Sequence, residues 1–294
     1  METQTLPVWL DTDIGNDIDD AVALAYLLRH PRCRLVGVST VTGAVEDRSR
    51  MAAAVTFAAG RGDVPIFSGY SDPLSGPGQP NVPQAATLTA EERARSYPAV
   101  PDAALQALVA AARAKPGELT LLSIGPMTNV ARFFDAAPEL PKLLKELVLM
   151  AGHFWPPKPG AEWNVLCDPE AGRRVAAAPV RRRWYGLDVT LQCAMPATEV
   201  HRKFTGPLLG TVRRFAEVWF QKHDRITFHD PLAAACVFEP ELCTYEPGRV
   251  EVELDGNIPG RTVPLAALPG ARKDQLARTV DAARFFDHYF ATVC

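Results

Sequence analysis

Nearly continuous apolar runs that alternate with helical periodicity constrain this chain more than any other feature. Val8-Trp9-Leu10, Leu35 to Val41, Leu119 to Ile124, Leu147 to Met150 and Trp184 to Leu187 have the length of strands. Their apolar character is continuous rather than alternating, as in strands buried on both faces. After the first run, Ile18, Val22, Ala25 and Leu28 recur at spacings of three and four, which makes one face of a helix. Strand–helix–strand succession demands a parallel sheet with right-handed crossovers. The expected fold class is therefore α/β, one domain over residues 1–294 with a mostly parallel central sheet flanked by helices.

Further elements fit the same frame. Helices are expected over 47–60, 102–114 and 207–222, with short strands at 64–67 and 250–254. Asp168-Pro169-Glu170 opens a helix, with Asp as its N-cap and Pro at its first position. The spacing predicts a closing helix over 275–290. From Gly69 to Pro101 the prolines at 73, 77, 80, 83, 98 and 101 exclude a regular core element over most of the stretch. A loop of that length is expected to be a lid or binding segment, or disordered.

Between the first strand and the first helix lies Asp11-Thr-Asp-Ile-Gly-Asn-Asp-Ile-Asp-Asp20, five carboxylates in ten residues. Aspartates capping a helix N-terminus would account for two of them but not for five. Carboxylates this crowded repel one another unless a cation sits among them. An oxygen-seeking ion is indicated, with Ca²⁺ favoured over Mg²⁺ because most ligands would come from the protein. An EF-hand is excluded, since Val22 stands where its twelfth-position glutamate would be.

With 31 basic against 34 acidic residues, the chain lacks the basic face that binding a nucleic-acid polymer requires. Arg181-Arg182-Arg183 is the only basic run, read as a solvated lead-in to a strand. The cysteines at 33, 167, 193, 236, 243 and 294 show no metal-ligand spacing and are expected to be reduced core residues. The start Met1-Glu2-Thr3-Gln4 is polar, unlike a signal peptide, and no apolar run reaches membrane-spanning length. A cytoplasmic protein with no membrane partner is expected.

In open α/β sheets ligands collect beyond the carboxyl ends of the strands. The acidic loop, Gly125 to Asn129, Gly152 to Asn164 and Asp188 all fall there, joined by His229-Asp230 at a helix start. These residues resemble the inosine–uridine-preferring nucleoside hydrolase family. The matches run through the acidic loop, Ser123-Ile-Gly-Pro-Met-Thr-Asn-Val-Ala131, Glu162-Trp-Asn164 with Asp168-Pro-Glu-Ala171, and His229-Asp-Pro-Leu-Ala233, in the family's order. The resemblance implies cleavage of the N-glycosidic bond of a small-molecule ribonucleoside by a water bound to Ca²⁺, in a homodimer or homotetramer serving purine or pyrimidine salvage.

Carried over residue by residue, the resemblance places Ca²⁺ on Asp13, Asp20, Asp230 and a backbone carbonyl at Met127, or alternatively Thr128. Asp13 would also be the general base. Apart from the resemblance, a leaving base needs a proton donor, and His229 beside Asp230 is the natural candidate because imidazole titrates near neutrality. Asp19, Glu162 and Asn164 would bind the ribose hydroxyls and His153 the 5′-hydroxyl, in place of the family's asparagine. Asp11 would orient the loop. The chain departs from the family in a longer acidic loop, in which Asp17 could take over a role of Asp19, and in Gly43-Ala44 where the family carries Gly-Asn. Trp155 and Trp163 could stack on a base. The alternatives are a phosphohydrolase of haloacid-dehalogenase type, whose first strand also ends in Asp-x-Asp, and a nucleoside- or ribose-binding protein without turnover.

Overall fold

The computed structural model describes residues 5–158, 160–267 and 274–294; the polar start 1–4 lies outside them. Its strands are β1 (Leu6–Thr12), β2 (Cys33–Thr40), β3 (Ile66–Ser68), β4 (Thr120–Ser123), β5 (Glu146–Met150), β6 (Arg182–Tyr185), β7 (Ala194–Pro196), β8 (Arg225–Thr227), β9 (Cys243–Val252), β10 (Thr262–Ala266) and β11 (Asp274–Val280). Nine form one sheet in the order β10-β9-β11-β6-β5-β4-β1-β2-β3, while β7 and β8 make a separate antiparallel pair. From β3 across to β11 every pairing is parallel; β9 runs antiparallel between β11 and β10. This is the single α/β domain with a mostly parallel sheet that the apolar runs require.

Alternate residues of the central strands feed two cores, one on each face. Val8, Leu10, Leu122, Val148 and Tyr185 belong to one, with the helix Asp19–Arg29; Trp9, Leu121, Leu147, Leu149 and Trp184 belong to the other. Burial on both faces explains why these strands lack a polar alternation. Strand β1 pairs with β2 on one side and β4 on the other, so the chain order reverses between β1 and β4. A crevice opens at such a reversal beyond the carboxyl ends of the strands. The acidic loop leaves β1 at that point, and Gly125 follows β4.

Several expected elements change. The closing helix begins at Ala282, because 274–280 is the strand β11, lodged between β6 and β9. Leu276 and Ala277 are both buried there, which removes the alternation that marks a strand. Arg182 and Arg183 are not solvated. They lie buried within β6, Arg182 Nε 3.0 Å from Asp274 Oδ1 and Arg183 paired through two nitrogens with Glu146 at 2.7 and 2.9 Å. Of the cysteines, Cys294 is exposed and Cys33 half-buried; the other four are core residues, and none forms a disulfide. Residues 69–101 carry a 3₁₀ turn (Pro83–Thr87) and a short helix (Ala90–Ala94) capped reciprocally by Thr89 and Glu92. Among the described residues no helix is long and apolar enough to cross a membrane.

Candidate active site

At the carboxyl end of β1 the chain turns through the acidic loop into the helix Asp19–Arg29, and its carboxylates become buried. Asp13, Asp19 and Asp20 are each no more than 5% exposed, as is Asp230 at the start of the helix His229–Cys236. Carboxylate oxygens of Asp19, Asp20 and Asp230 lie within 4.8 Å of one another. Asp19 Oδ2 also accepts the backbone N–H of Asp230 at 3.1 Å, which ties the two helix starts together. Thr12 Oγ1 donates to Asp20. Among the described residues no donor reaches the Asp230 carboxylate.

Burial is the main cause that lifts the pKa of these groups, and repulsion from neighbouring aspartates adds to it for Asp17, Asp19, Asp20 and Asp230. Asp19, Asp20 and Asp230 are raised well above the usual carboxylate range, Asp13 to about 6 and Asp17 to about 7. One buried cation tempers this. Arg48, fully enclosed, donates to the carbonyls of Asp13 and Ile14 on the acidic loop, Thr42, and Gln79 and Asn81. Its charge holds Asp13 and Asp20 lower than burial alone would. A cluster of hard oxygen donors, one of them without a protein partner, fits a divalent cation.

The cleft around this cluster has a volume of about 270 Å³ and is lined by Asp13, Asn16, Asp17, Asp19, Asp20 and Asp230 on its acidic side. Glu162, Asn164 and His229 line it too, with Gln79, Ile124, Met150, Trp163, Leu187 and Trp219. Glu162 caps the helix Trp163–Cys167: Oε1 accepts from Asn164 N–H at 2.7 Å, and Oε2 from Gly152 and Val165 N–H at 3.1 and 3.3 Å. Burial pushes it up to about 7 against those bonds. Asn164 Nδ2 donates to the carbonyls of Ile124 and Met150 at 2.9 and 3.0 Å, bracing the ends of β4 and β5. Gly125 must be glycine, because a Cβ there would stand 2.8 Å from Asp13 Oδ1.

His229 Nδ1 lies 2.7 Å from Thr190 Oγ1, which itself donates to the Gly186 carbonyl at 3.2 Å. The hydroxyl oxygen therefore accepts the Nδ1–H, leaving Nε2 as the free nitrogen of the neutral ring. Burial lowers the pKa of His229 to about 4, so the neutral form prevails.

Some expected residues do not reach the cleft. Met127 is buried at the start of the helix Thr128–Ala136, where its carbonyl accepts Ala131 N–H at 2.9 Å; Thr128 Oγ1 donates to Asp168 at 2.6 Å. Ile124, the residue just after β4, lines the cleft in their place. His153 lines no part of the cleft; its backbone N–H donates to Thr262 Oγ1 at 2.9 Å and its ring Nε2 lies 4.0 Å from Asp188 Oδ1. Asp188 accepts the amides of Phe154 and Trp155, both at 2.8 Å, so its part is to hold that loop. Trp155 lies under Arg278, and exposed Ala44 lines no part of the cleft. Asp11 stands behind the cleft, accepting from Ser39 and from Asn129 Nδ2.

Sequence reasoning missed Arg48, Gln79, Ile124, Thr190 and Trp219. Arg48 carried the one usable signal, a charge three residues before the apolar stretch Met51-Ala-Ala-Ala-Val55 of the helix Val45–Ala58.

Comparison with known proteins accords with this geometry. The model of a family described as inosine-uridine preferring nucleoside hydrolase matches residues 8–287. The chain is 32% identical over 268 residues to a non-specific ribonucleoside hydrolase of Klebsiella pneumoniae, covering 85% of each. To an inosine-uridine preferring nucleoside hydrolase of Leishmania major it is 31% identical over 300 residues, covering 94% of each. A solved plant nucleoside hydrolase superposes with a TM-score of 0.81 at 25% identity, covering 98% of both chains.

Proposed function

The chain belongs to the inosine–uridine-preferring nucleoside hydrolase family and is an N-glycosyl hydrolase, and from this premise we propose that it splits ribonucleosides with water and a calcium ion, Asp13 acting as base. The phosphohydrolase reading gives way to this membership. Water attacks the ribose C1′ and the C1′–N bond breaks, its electron pair passing to the base. Asp13 takes the proton of the attacking water; the products are ribose and the free base. Positive charge develops on the sugar as the bond lengthens, and the flanking carboxylates stabilise it.

Asp13, Asp20 and Asp230 hold the ion in this reading, together with the Ile124 carbonyl, which replaces the Met127 carbonyl of the original expectation. Asp19 belongs to the same cluster and keeps its place as a ribose ligand. A bound calcium ion would supply charge that neutralises the carboxylates, orients hydroxyl oxygens and acidifies water. Glu162 and Asn164 receive the ribose hydroxyls: a carboxylate whose oxygens each take backbone amides retains further lone pairs for a hydroxyl donor. His229 takes up a solvent proton on Nε2 and passes it to the departing base. Its ring is neutral in the free protein, and negative charge gathering on the base beside it favours the protonated form.

The observation that carries this reading is the convergence of the Asp19–Asp20–Asp230 cluster with Asp13, Glu162, Asn164 and His229 in one cleft. The test is incubation with inosine, uridine, cytidine and p-nitrophenyl riboside, with calcium and with EDTA. Free base and reducing sugar are expected with calcium and not with EDTA. Phosphatase activity without ribosidase activity would contradict the reading. Binding of calcium and nucleoside without turnover would favour the binding-protein alternative.

A further inference from the structure

Gln79 lies in a segment without regular structure, yet it is only 5% exposed and its backbone is held from several sides. Its N–H donates to Thr42 Oγ1 at 2.8 Å, and its carbonyl accepts from Arg48 Nη2 at 2.8 Å. Just before it, Gly78 N–H donates to the Cys167 carbonyl at 3.0 Å. Leu74 and Ser75 N–H donate to the Asp168 carboxylate at 2.8 and 3.1 Å. The segment leading to Gln79 is thus stitched to residues that flank the Glu162–Asn164 motif. It is a fixed wall of the cleft.

From that backbone the side chain bridges two groups. Gln79 Nε2 donates to Asp13 Oδ2 at 2.6 Å, and Gln79 Oε1 accepts the indole N–H of Trp163. An indole N–H can only donate and an ionised carboxylate can only accept, so both partners demand the same orientation of the amide. Reversing it would set oxygen against carboxylate and N–H against N–H. On its other side the Asp13 carboxylate closes on Gly125. Trp163, 51% exposed, stands at the mouth of the cleft.

We infer that Trp163 and Gln79 form a relay that fixes the Asp13 carboxylate in the orientation from which it takes the proton of the attacking water. Gln79 is the positioning residue for Asp13, and Trp163 acts through Gln79 by holding its amide. The inference rests on the base role proposed for Asp13. A base displaced by about 1 Å can lose on the order of 100-fold in rate, so the relay governs turnover rather than affinity.

The test uses the calcium-loaded protein with Gln79→Met, which keeps length and removes the amide, Trp163→Phe, which keeps an aromatic ring and removes the N–H, and the double variant. Gln79→Met is expected to lower kcat about 10- to 100-fold with KM changed less than about threefold. Trp163→Phe is expected to lower kcat about threefold to tenfold alone and less than about twofold in the Gln79→Met background, the non-additivity of residues acting as a unit. A second readout needs no turnover. In an NMR spectrum of the indole N–H groups, the resonance lost in Trp163→Phe is expected to shift in Gln79→Met while those of the other tryptophans stay.

Unchanged kcat in a folded Gln79→Met variant would overturn the relay, as would multiplicative losses in the double variant. If Gln79→Met does not fold, Trp163→Phe decides: its altered surface ring leaves folding intact, and unchanged kcat would overturn the relay. A wild-type protein without ribosidase turnover would instead overturn the function reading and the base role with it. The indole spectrum would then still establish or refute the Trp163–Gln79 bond by itself.

Discussion

Replacing Asp230 by Asn should make the metal-free protein more stable and the calcium-loaded protein less so relative to wild type. Carboxylate oxygens of Asp19, Asp20 and Asp230 lie within 4.8 Å of one another. At an effective dielectric of about 20, two unit charges at that separation repel by about 3.5 kcal/mol. Asp230 faces two such neighbours, and among the described residues no donor reaches its carboxylate. The wild-type protein relieves part of this repulsion by binding a proton, the condition that the raised pKa values describe. A net gain of about 2–4 kcal/mol is therefore expected for Asp230→Asn in EDTA at pH 8. For a chain of this size that corresponds to about 3–6 °C in Tm. Calcium at 100 times its Kd should stabilise wild type by about 2.7 kcal/mol and the variant by much less. Thermal unfolding of both proteins in EDTA and in calcium gives the four values. A variant that melts below wild type in EDTA, and gains as much from calcium, would refute the electrostatic reasoning.

Other perturbations separate the remaining roles. His229→Ala should lower kcat on inosine at least tenfold more than on p-nitrophenyl riboside, whose leaving group needs no proton; equal losses, measured by initial rates, would remove His229 from the donor role. Arg48→Met leaves the carbonyls of Asp13, Ile14, Thr42, Gln79 and Asn81 without their donor and strips charge from beside Asp13 and Asp20. A loss of about 3–5 kcal/mol is expected by urea unfolding, whereas a loss under about 1 kcal/mol would show that the loop holds its own shape. Away from the cleft, His30 stacks on Phe238 with ring centroids 3.9 Å apart, and burial, aided by Arg32 and His288, lowers its pKa from 6.5 to about 4. The unfolded chain therefore binds this proton first, and stability that is fully present above pH 6.5 is lost as the pH falls to 4. In urea titrations at pH 7 and pH 4, His30→Phe should lose about 2–3 kcal/mol less than wild type over that interval; equal losses would show that the ring does not titrate this way.

The parts of the fold that sequence made legible are those whose signal is local. β1, β2, β4 and β5 are buried on both faces and read as apolar runs, and the aspartate before Pro169 caps its helix through Ala171 N–H at 3.1 Å. β11 was hidden because its neighbours come from β6 and β9, far along the chain, and because buried Leu276 and Ala277 imitate helical spacing. The burial of Arg182 and Arg183 depends on Asp274 and Glu146, which nothing local announces. In the site, Asp13, Asp19, Asp20, Glu162, Asn164, His229 and Asp230 all line the cleft as expected. The carbonyl expectation shifted from Met127 to Ile124 because the point where β4 ends, set by pairing with β1 and β5, decides which residue faces the crevice. Gln79 was illegible for a similar reason: its place depends on Thr42, Arg48, Cys167 and Trp163, and its own neighbours are prolines and glycines.

The central claim is that Asp13 takes the proton of the attacking water. Its most direct test is kcat for Asp13→Asn against wild type on the best ribonucleoside of the panel, with calorimetry establishing that both proteins hold calcium. General-base catalysis of this kind contributes on the order of 10²- to 10⁴-fold, so kcat should fall by at least about 100-fold while calcium remains bound. A calcium-loaded Asp13→Asn protein that turns over within about tenfold of wild type would contradict the account.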